Sequence, residues 1–334
     1  MSAAEEFWMD PPHDNSAVEQ AILAVLTGTP IAEAAAQLHS STDLLTEAAA
    51  RYRAAGRAAL DTQPELPQGH QVNIEFTDYS TAERAFGAYL LPLLRQERET
   101  GTLVAWWFVR KHPCWRLRIT PGPATTIDGV TKPISTALDN AVSRGVVMRW
   151  WPSLYEPETT AFGGPIGMDI AHGLFHTDST GVLDYLRRDN TDDRGLLDPK
   201  ATSLLVISLF LRAAHQEWSE QGDVWARVEA ARPLPDNVPV ERVTAMTGAM
   251  HRLLTIDAVP ALTAGGPLAP MAEWIAGFKR GGRALGHCGR EGQLALGTRS
   301  ILARHILFHW NRMGFTTRQQ AIWARAARET ILRN

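Results

Sequence analysis

The fourteen residues WWFVRKHPCWRLRI, Trp106 to Ile119, hold three arginines, three tryptophans and one lysine. Guanidinium groups grip carboxylate, amide or developing oxyanion charge through forked hydrogen bonds, and indole rings wall in flat ligands. The segment alternates as a strand does, so its side chains divide between two faces. A turn at Lys111 to Cys114 that preserves parity puts Trp106, Phe108, Arg116 and Arg118 on one face, with Arg110 close by across the turn. Trp107, Val109, Trp115, Leu117 and Ile119 then take the other. Arg110, Arg116 and Arg118 are therefore candidates to stabilise oxygen charge, and Trp106, Trp107 and Trp115 to form walls. Trp150 and Trp151, on a later strand, join them, with only one of each adjacent pair able to face a site. The competing reading is a solvated face of an antiparallel sheet.

Two further segments carry titratable side chains. In YEPETTAFGGPIGMDIAHGLFHTDST, Tyr155 to Thr180, the Gly-Gly-Pro turn leads into a helix expected to end between Gly173 and Phe175. His176 and Asp178 would then flank the N-cap of a next helix, where Asp178 and Ser179 are ordinary caps. In HILFHWNRMGF, His305 to Phe315, a helix from about Thr298 places His305, His309 and Arg312 on one face, with Gly314 as C-cap. A metal would need a third ligand, and no carboxylate or cysteine has a spacing that demands one. That leaves histidines that bond within the core or transfer protons. His309 is the first candidate for proton transfer, with Tyr155 and His176 behind it; Arg312 is a candidate substrate contact or a helix-end brace.

The elements that must position these groups follow from the rest of the chain. Residues 1–15 read as a disordered tail. Residues 16–60 read as a small helix-turn-helix-like unit, 61–69 (DTQPELPQG) as a linker, and 70–334 as the catalytic domain. A DNA-reading third helix would be basic, whereas this one opens with Asp43 and Glu47. A peptide-docking module fits better. HQVNIEF is a strand; a helix follows from Thr81 as N-cap, broken or kinked at Pro92; PGPATTIDGVTKP is a loop; VVMRWWPSLY is another strand. From Ala201 the chain is helical except for the glycine-rich stretch Gly281 to Gly297, read as a mobile loop or lid. The class is α+β, with a mixed or antiparallel sheet and a helical C-terminal half.

The chain has 334 residues and a net charge of -3, which calls for neither nucleic acid nor an anionic membrane. Its two cysteines form no CxxC, the N-terminus lacks a signal-peptide pattern, and the longest apolar run is short of a span. A cytoplasmic protein is expected.

The strand WWFVRKHPCWRLR, the YEP…GGP…LFHTDS block and the HILFHWNR helix together resemble the thiopeptide-type bacteriocin biosynthesis family. That family is related to the C-terminal elimination domain of lantibiotic dehydratases. The resemblance covers His70 to the C-terminus. It implies action on a ribosomally made, leader-carrying peptide already modified by dehydratase and azole-forming enzymes. Two chemistries go with it, neither needing a cofactor. One is β-elimination of glutamate from glutamylated Ser or Thr. The other is a formal [4+2] cycloaddition of two dehydroalanines, with loss of water and leader, to give a pyridine. In elimination domains, as the resemblance implies, a histidine stands four residues before the Asn of the Asn-Arg pair. Here that position is Leu307. A leucine moves no proton, and general acid–base help is typically worth about 10²–10⁴ in rate. A cycloaddition depends more on holding two groups together, so pyridine synthesis is the expected reaction. Glutamate elimination, or a non-catalytic leader-binding presenter, is the alternative.

Overall fold

A computed structural model describes residues 15–61, 70–189 and 197–332. Most of the expected tail and most of the expected linker lie outside them, while Asn15 and Asp61 belong to helices. The chain divides into two compact units, residues 1–66 and 67–334. In the first, α1 (Asn15–Leu26), α2 (Ile31–Gln37) and α3 (Thr42–Asp61) close around Ile22, Ala34, Ala35, Leu45 and Ala49. Three of those five are alanines, so the helices approach closely but bury little apolar surface. The Tyr52 hydroxyl donates to Glu19 and ties α3 to α1.

The second unit is built on an antiparallel sheet of β1 (His70–Phe76), β2 (Leu103–Lys111), β3 (Cys114–Pro121) and β4 (Val147–Leu154), in the order β2-β3-β1-β4. Helices α4 (Ala82–Tyr89) and α5 (Leu91–Glu99) join β1 to β2, and α6 (Ile127–Ser143) joins β3 to β4. Pro92 opens α5, so the expected break falls at Leu90. Two local expectations are corrected. Thr81 stands at the N-cap of α4 as expected, but its side chain makes no capping bond; Asp78 accepts from the Ser80 N–H and starts the turn that leads into α4. The expected loop after β3 is largely helix, because Thr126 caps α6 and Pro133 is accommodated inside it.

The parity of the Trp/Arg hairpin is also corrected. β2 and β3 are joined by two residues, His112 and Pro113, with Lys111 opposite Cys114. Partners therefore pair even with odd: Trp107 with Arg118, Val109 with Arg116, Phe108 with Leu117 and Arg110 with Trp115. One face carries Trp106, Phe108, Arg110, Trp115, Leu117 and Ile119; Phe86 of α4 packs against Trp106, Phe108 and Trp115. The other carries Trp107, Val109, Arg116 and Arg118, so Arg110 is separated from the other two arginines by the sheet.

The remaining helices are α7 (Pro165–Asp189), α8 (Pro199–Ala213), α9 (Trp218–Ala231), α10 (Val240–Thr244), α11 (Thr247–Thr255), α12 (Ala272–Arg290), α13 (Thr298–Met313) and α14 (Thr317–Leu332). Every residue of α8 from Ala201 to Leu211 is buried, which makes it the axle of the helical half. No break occurs in α7 at Gly173, so Asp178 and Ser179 are buried mid-helix residues, not caps. More than half of the glycine-rich stretch is helix, not loop. Residues 281–290 belong to α12, and a Cβ at Gly282 or Gly286 would lie 2.6 Å from the carbonyl oxygen of Phe210 in α8 or of Ala214 at its C-cap. These glycines let two helix backbones touch.

Edge strand β2 is sealed by α7 and α13. His176 and Ser179 bond the outward backbone of Trp106 and Phe108, and Arg312 Nε donates to the Phe108 carbonyl. An open row of strand amides would otherwise invite pairing with another chain. Among the described residues no helix is long and apolar enough to cross a membrane.

Candidate active site

The polar face of the sheet begins with an unusual β1. Gln71, Asn73 and Glu75 alternate onto the face shared by Arg118, Arg116 and Ser153. Gln71 and Asn73 are buried there and both donate to the Ser153 hydroxyl, at 2.9 and 2.8 Å. Arg118 Nε donates to Gln71 Oε1 at 2.9 Å. This lattice fixes the Arg118 guanidinium, which lies 4.3 Å over the Tyr155 ring. Burial lowers the Arg118 pKa, but an arginine stays charged across any working pH. The result is a fixed cation on a largely desolvated surface, where it acts far more strongly than in water.

The Tyr155 hydroxyl is 2.9 Å from His172 Nε2. Burial pushes Tyr155 up to about 12, with Arg118 pulling the other way. His172 is lowered by burial, while Asp169 one turn earlier opposes that shift. Its ring packs 4.9 Å from Trp107. His172 also lines a cleft of about 670 Å³ between the β2 edge, α7 and the start of α12. His176 is in the same cleft, lowered by burial, with its Nδ1 2.9 Å from the Trp106 carbonyl.

Several sequence candidates thus come together: Arg116, Arg118 and Tyr155 on the sheet face, Trp151 farther along the same face, and His176 in the adjoining cleft; Trp107 shares that face but is fully buried under His172 and Phe175 and is core. Others do not. Arg110 bonds Glu83 at 2.8 Å and stacks 4.5 Å over Trp115 on the opposite face. Trp106 and Trp115 are core residues there, and Trp150 donates to Asp139 of α6.

His309 and Arg312 lie inside the protein. Arg312 Nη1 donates to Asp178 Oδ2 at 3.0 Å, and His309 Nδ1 is 2.8 Å from Asp178 Oδ1. His309 Nε2 is 2.9 Å from Ser203 Oγ. The Asp–His–Ser order matches a nucleophilic triad, but Ser203 is fully buried in α8 and accepts from Trp310 Nε1. No acyl group can reach it. Burial works against the Asp178 charge, yet His309 and Arg312 hold its carboxyl below the ordinary range. His305 is buried among Phe162, Phe175 and Phe210 and is lowered to about 3 by burial, which keeps it neutral. No group of three metal-ligating side chains forms among the described residues.

Sequence reading missed His172, Gln71, Asn73, Ser153 and the central role of Asp178. Two signals were available: HGLFH repeats the i, i+4 histidine spacing of the last helix, and QVNIE alternates polar residues onto one face.

Leu307 lines a separate cleft of about 390 Å³ with Arg304, Phe308 and Asn311, and its lining holds no histidine or carboxylate.

No curated protein sequence matches the chain. Solved structures that match the chain include these three. The tRNA-dependent lantibiotic dehydratase MibB from Microbispora sp. 107891 aligns with a TM-score of 0.59 at 14% identity, over 80% of this chain and 28% of that one. This chain therefore spans little more than a quarter of MibB. TsrL aligns with a TM-score of 0.52 at 16% identity, over 78% of this chain and 93% of that one. TbtD, the pyridine synthase from thiomuracin biosynthesis, aligns with a TM-score of 0.48 at 13% identity, over 79% and 97%. The family model for the lantibiotic biosynthesis dehydratase C-terminal region matches residues 70–331, and the chain belongs to that family.

Proposed function

We propose that the protein matures a ribosomally made, leader-carrying peptide by a formal [4+2] cycloaddition of two dehydroalanines, releasing water and leader to give a pyridine. The observation that carries this reading is Leu307. The turn that would hold the proton-transferring histidine of an eliminase presents a leucine to a cleft without histidine or carboxylate. Cycloaddition needs chiefly that two reactive groups be held together and that oxygen charge be stabilised. Arg118, fixed by Gln71 and backed by Tyr155, supplies the second. Arg116, with no ion pair among the described residues, adds a second cation beside it.

That same arginine pair supports a second reading, since it also suits the carboxylate of a departing glutamate. The separate N-terminal helices would dock the leader: Leu23 and Leu44 are exposed on them. Deleting residues 1–60 with no loss of leader affinity would remove that assignment.

The test is mass spectrometry of a precursor carrying dehydroalanines and azoles, incubated with the protein alone. Release of the leader with loss of water, and a new pyridine absorbance, supports the cyclase. An unchanged precursor, followed by glutamate loss from a glutamylated peptide, supports elimination.

A further inference from the structure

His172 and His176 stand one turn apart on α7 and line the same cleft. Their hydrogen bonds put the proton on Nδ1 in both, but leave opposite ends of the two rings for the cleft. His176 Nδ1 is 2.9 Å from the Trp106 carbonyl oxygen, which can only accept, and the Trp106 N–H points at the same nitrogen from a longer 3.4 Å. The shorter contact makes Nδ1–H the donor, so Nε2 keeps a lone pair. Tyr155 is protonated and its hydroxyl has no acceptor other than His172 Nε2 among the described residues. It therefore donates to Nε2, and His172 carries its own proton on Nδ1.

One ring thus offers a donor and the other an acceptor, from Cβ atoms about 5–6 Å apart. In an extended chain the N–H and C=O of one residue point to the same side. A strand laid along α7 presents the complement: a carbonyl for His172 Nδ1–H and an amide N–H for His176 Nε2. Between the histidines the floor is open. Gly173 is exposed in the cleft, and a Cβ added there would meet nothing within 4 Å. The walls carry both signs of charge, Asp169 and Glu273 against Arg98 and Arg280, and none of these four forms an ion pair among the described residues. From Asp169 to Asp184 the helix rises about 22 Å, room for about six extended residues.

We propose that this cleft binds an extended peptide-backbone segment, gripped by His172 as donor and His176 as acceptor. The inference rests on the reading above in taking that segment to be part of the leader-carrying substrate.

The test uses the full chain and acetyl-tetraalanine-amide as a probe, followed by the side-chain ¹⁵N resonances of the two histidines. Both rings are expected in the Nδ1–H form, with the His172 Nδ1 and His176 Nε2 signals moving saturably as the probe is added. Gly173→Leu places a side chain on the open floor, where an added Cβ meets nothing within 4 Å, and favours the helix. It should abolish those movements while the tautomer signals, which report the intact fold, stay in place. A proton on His172 Nε2, no movement at high probe concentration, or equal binding by Gly173→Leu overturns the proposal. The outcome is separable from the reaction assigned above. Probe binding without any pyridine product sinks the reaction and keeps the cleft. Product formation with a KM unmoved by Gly173→Leu sinks the cleft and keeps the reaction.

Discussion

Asp178 and Arg312 form an ion pair of 3.0 Å in which each side chain is 2% exposed. The pair locks α7 to α13, and Arg312 extends the lock to the sheet edge through Phe108. Removing one member of a buried pair strands the other charge, a loss of about 3–5 kcal/mol. Asp178→Asn is expected to lower the unfolding free energy by that order in urea titrations. Trp274 Nε1 also donates to Asp178 Oδ1, so a loss near zero would mean that an amide satisfies Arg312, His309 and Trp274 as well as the carboxylate does. The Asp178 carboxyl is held below its ordinary range, so its stabilisation is present above the unfolded value of about 3.9. It is lost as pH falls through the lower folded value. The Asn variant should lack that acid-sensitive part.

His305 gives the opposite kind of pH dependence. It is lowered to about 3 in the folded protein and titrates near 6.5 when unfolded. Between those values the unfolded chain binds a proton that the folded chain refuses. Stability is therefore full above about 6.5 and falls toward pH 3, by up to about 1.4 kcal/mol per pH unit. His305→Leu should flatten that slope. Parallel curves for wild type and variant between pH 4 and 6 would show that folded His305 accepts the proton.

The two sides of the sheet separate the arginines by role. Arg118→Ala removes the fixed cation beside Tyr155 and should cut turnover by about 10²–10³, read as product by mass spectrometry. Arg110→Ala breaks the Glu83 pair on the far face and should leave the turnover of the folded protein largely unchanged. The reverse order of effects would move the site to the α4 side of the sheet.

How far these relationships were legible depended on their range. The strands, the α+β class and the Asn-Arg helix with its Gly314 cap follow from local alternation, periodicity and capping, and those are properties of a few consecutive residues. The facing of Arg110 was lost to a single unknown, the length of the turn at His112 and Pro113. One residue more or less moves a whole strand's side chains to the other face. Asp178 looked like a cap because Asp-Ser often opens helices. Its burial depends on α8, α12 and α13 arriving from far along the chain, which no local pattern announces. Sequence spacing likewise placed His309 correctly on its helix, but not the helix face toward Asp178 and Ser203.

Glycine content misled for a physical reason that can be measured. Glycine in a helix costs about 1 kcal/mol relative to alanine, so Gly281 to Gly297 reads as a break. In the fold, Gly282 and Gly286 sit where a Cβ would come 2.6 Å from carbonyl oxygens of α8 and its C-cap. The gain in helix propensity from Gly286→Ala should therefore be outweighed by overpacking of about 1–3 kcal/mol, leaving a net loss in chemical denaturation. Gly173→Ala is the control, since α7 leaves open space there. It should stabilise by about 0.4–1 kcal/mol. Equal stabilisation by both substitutions would show that α12 and α8 can part enough to admit a methyl group, and that the glycines are not what allows them to touch.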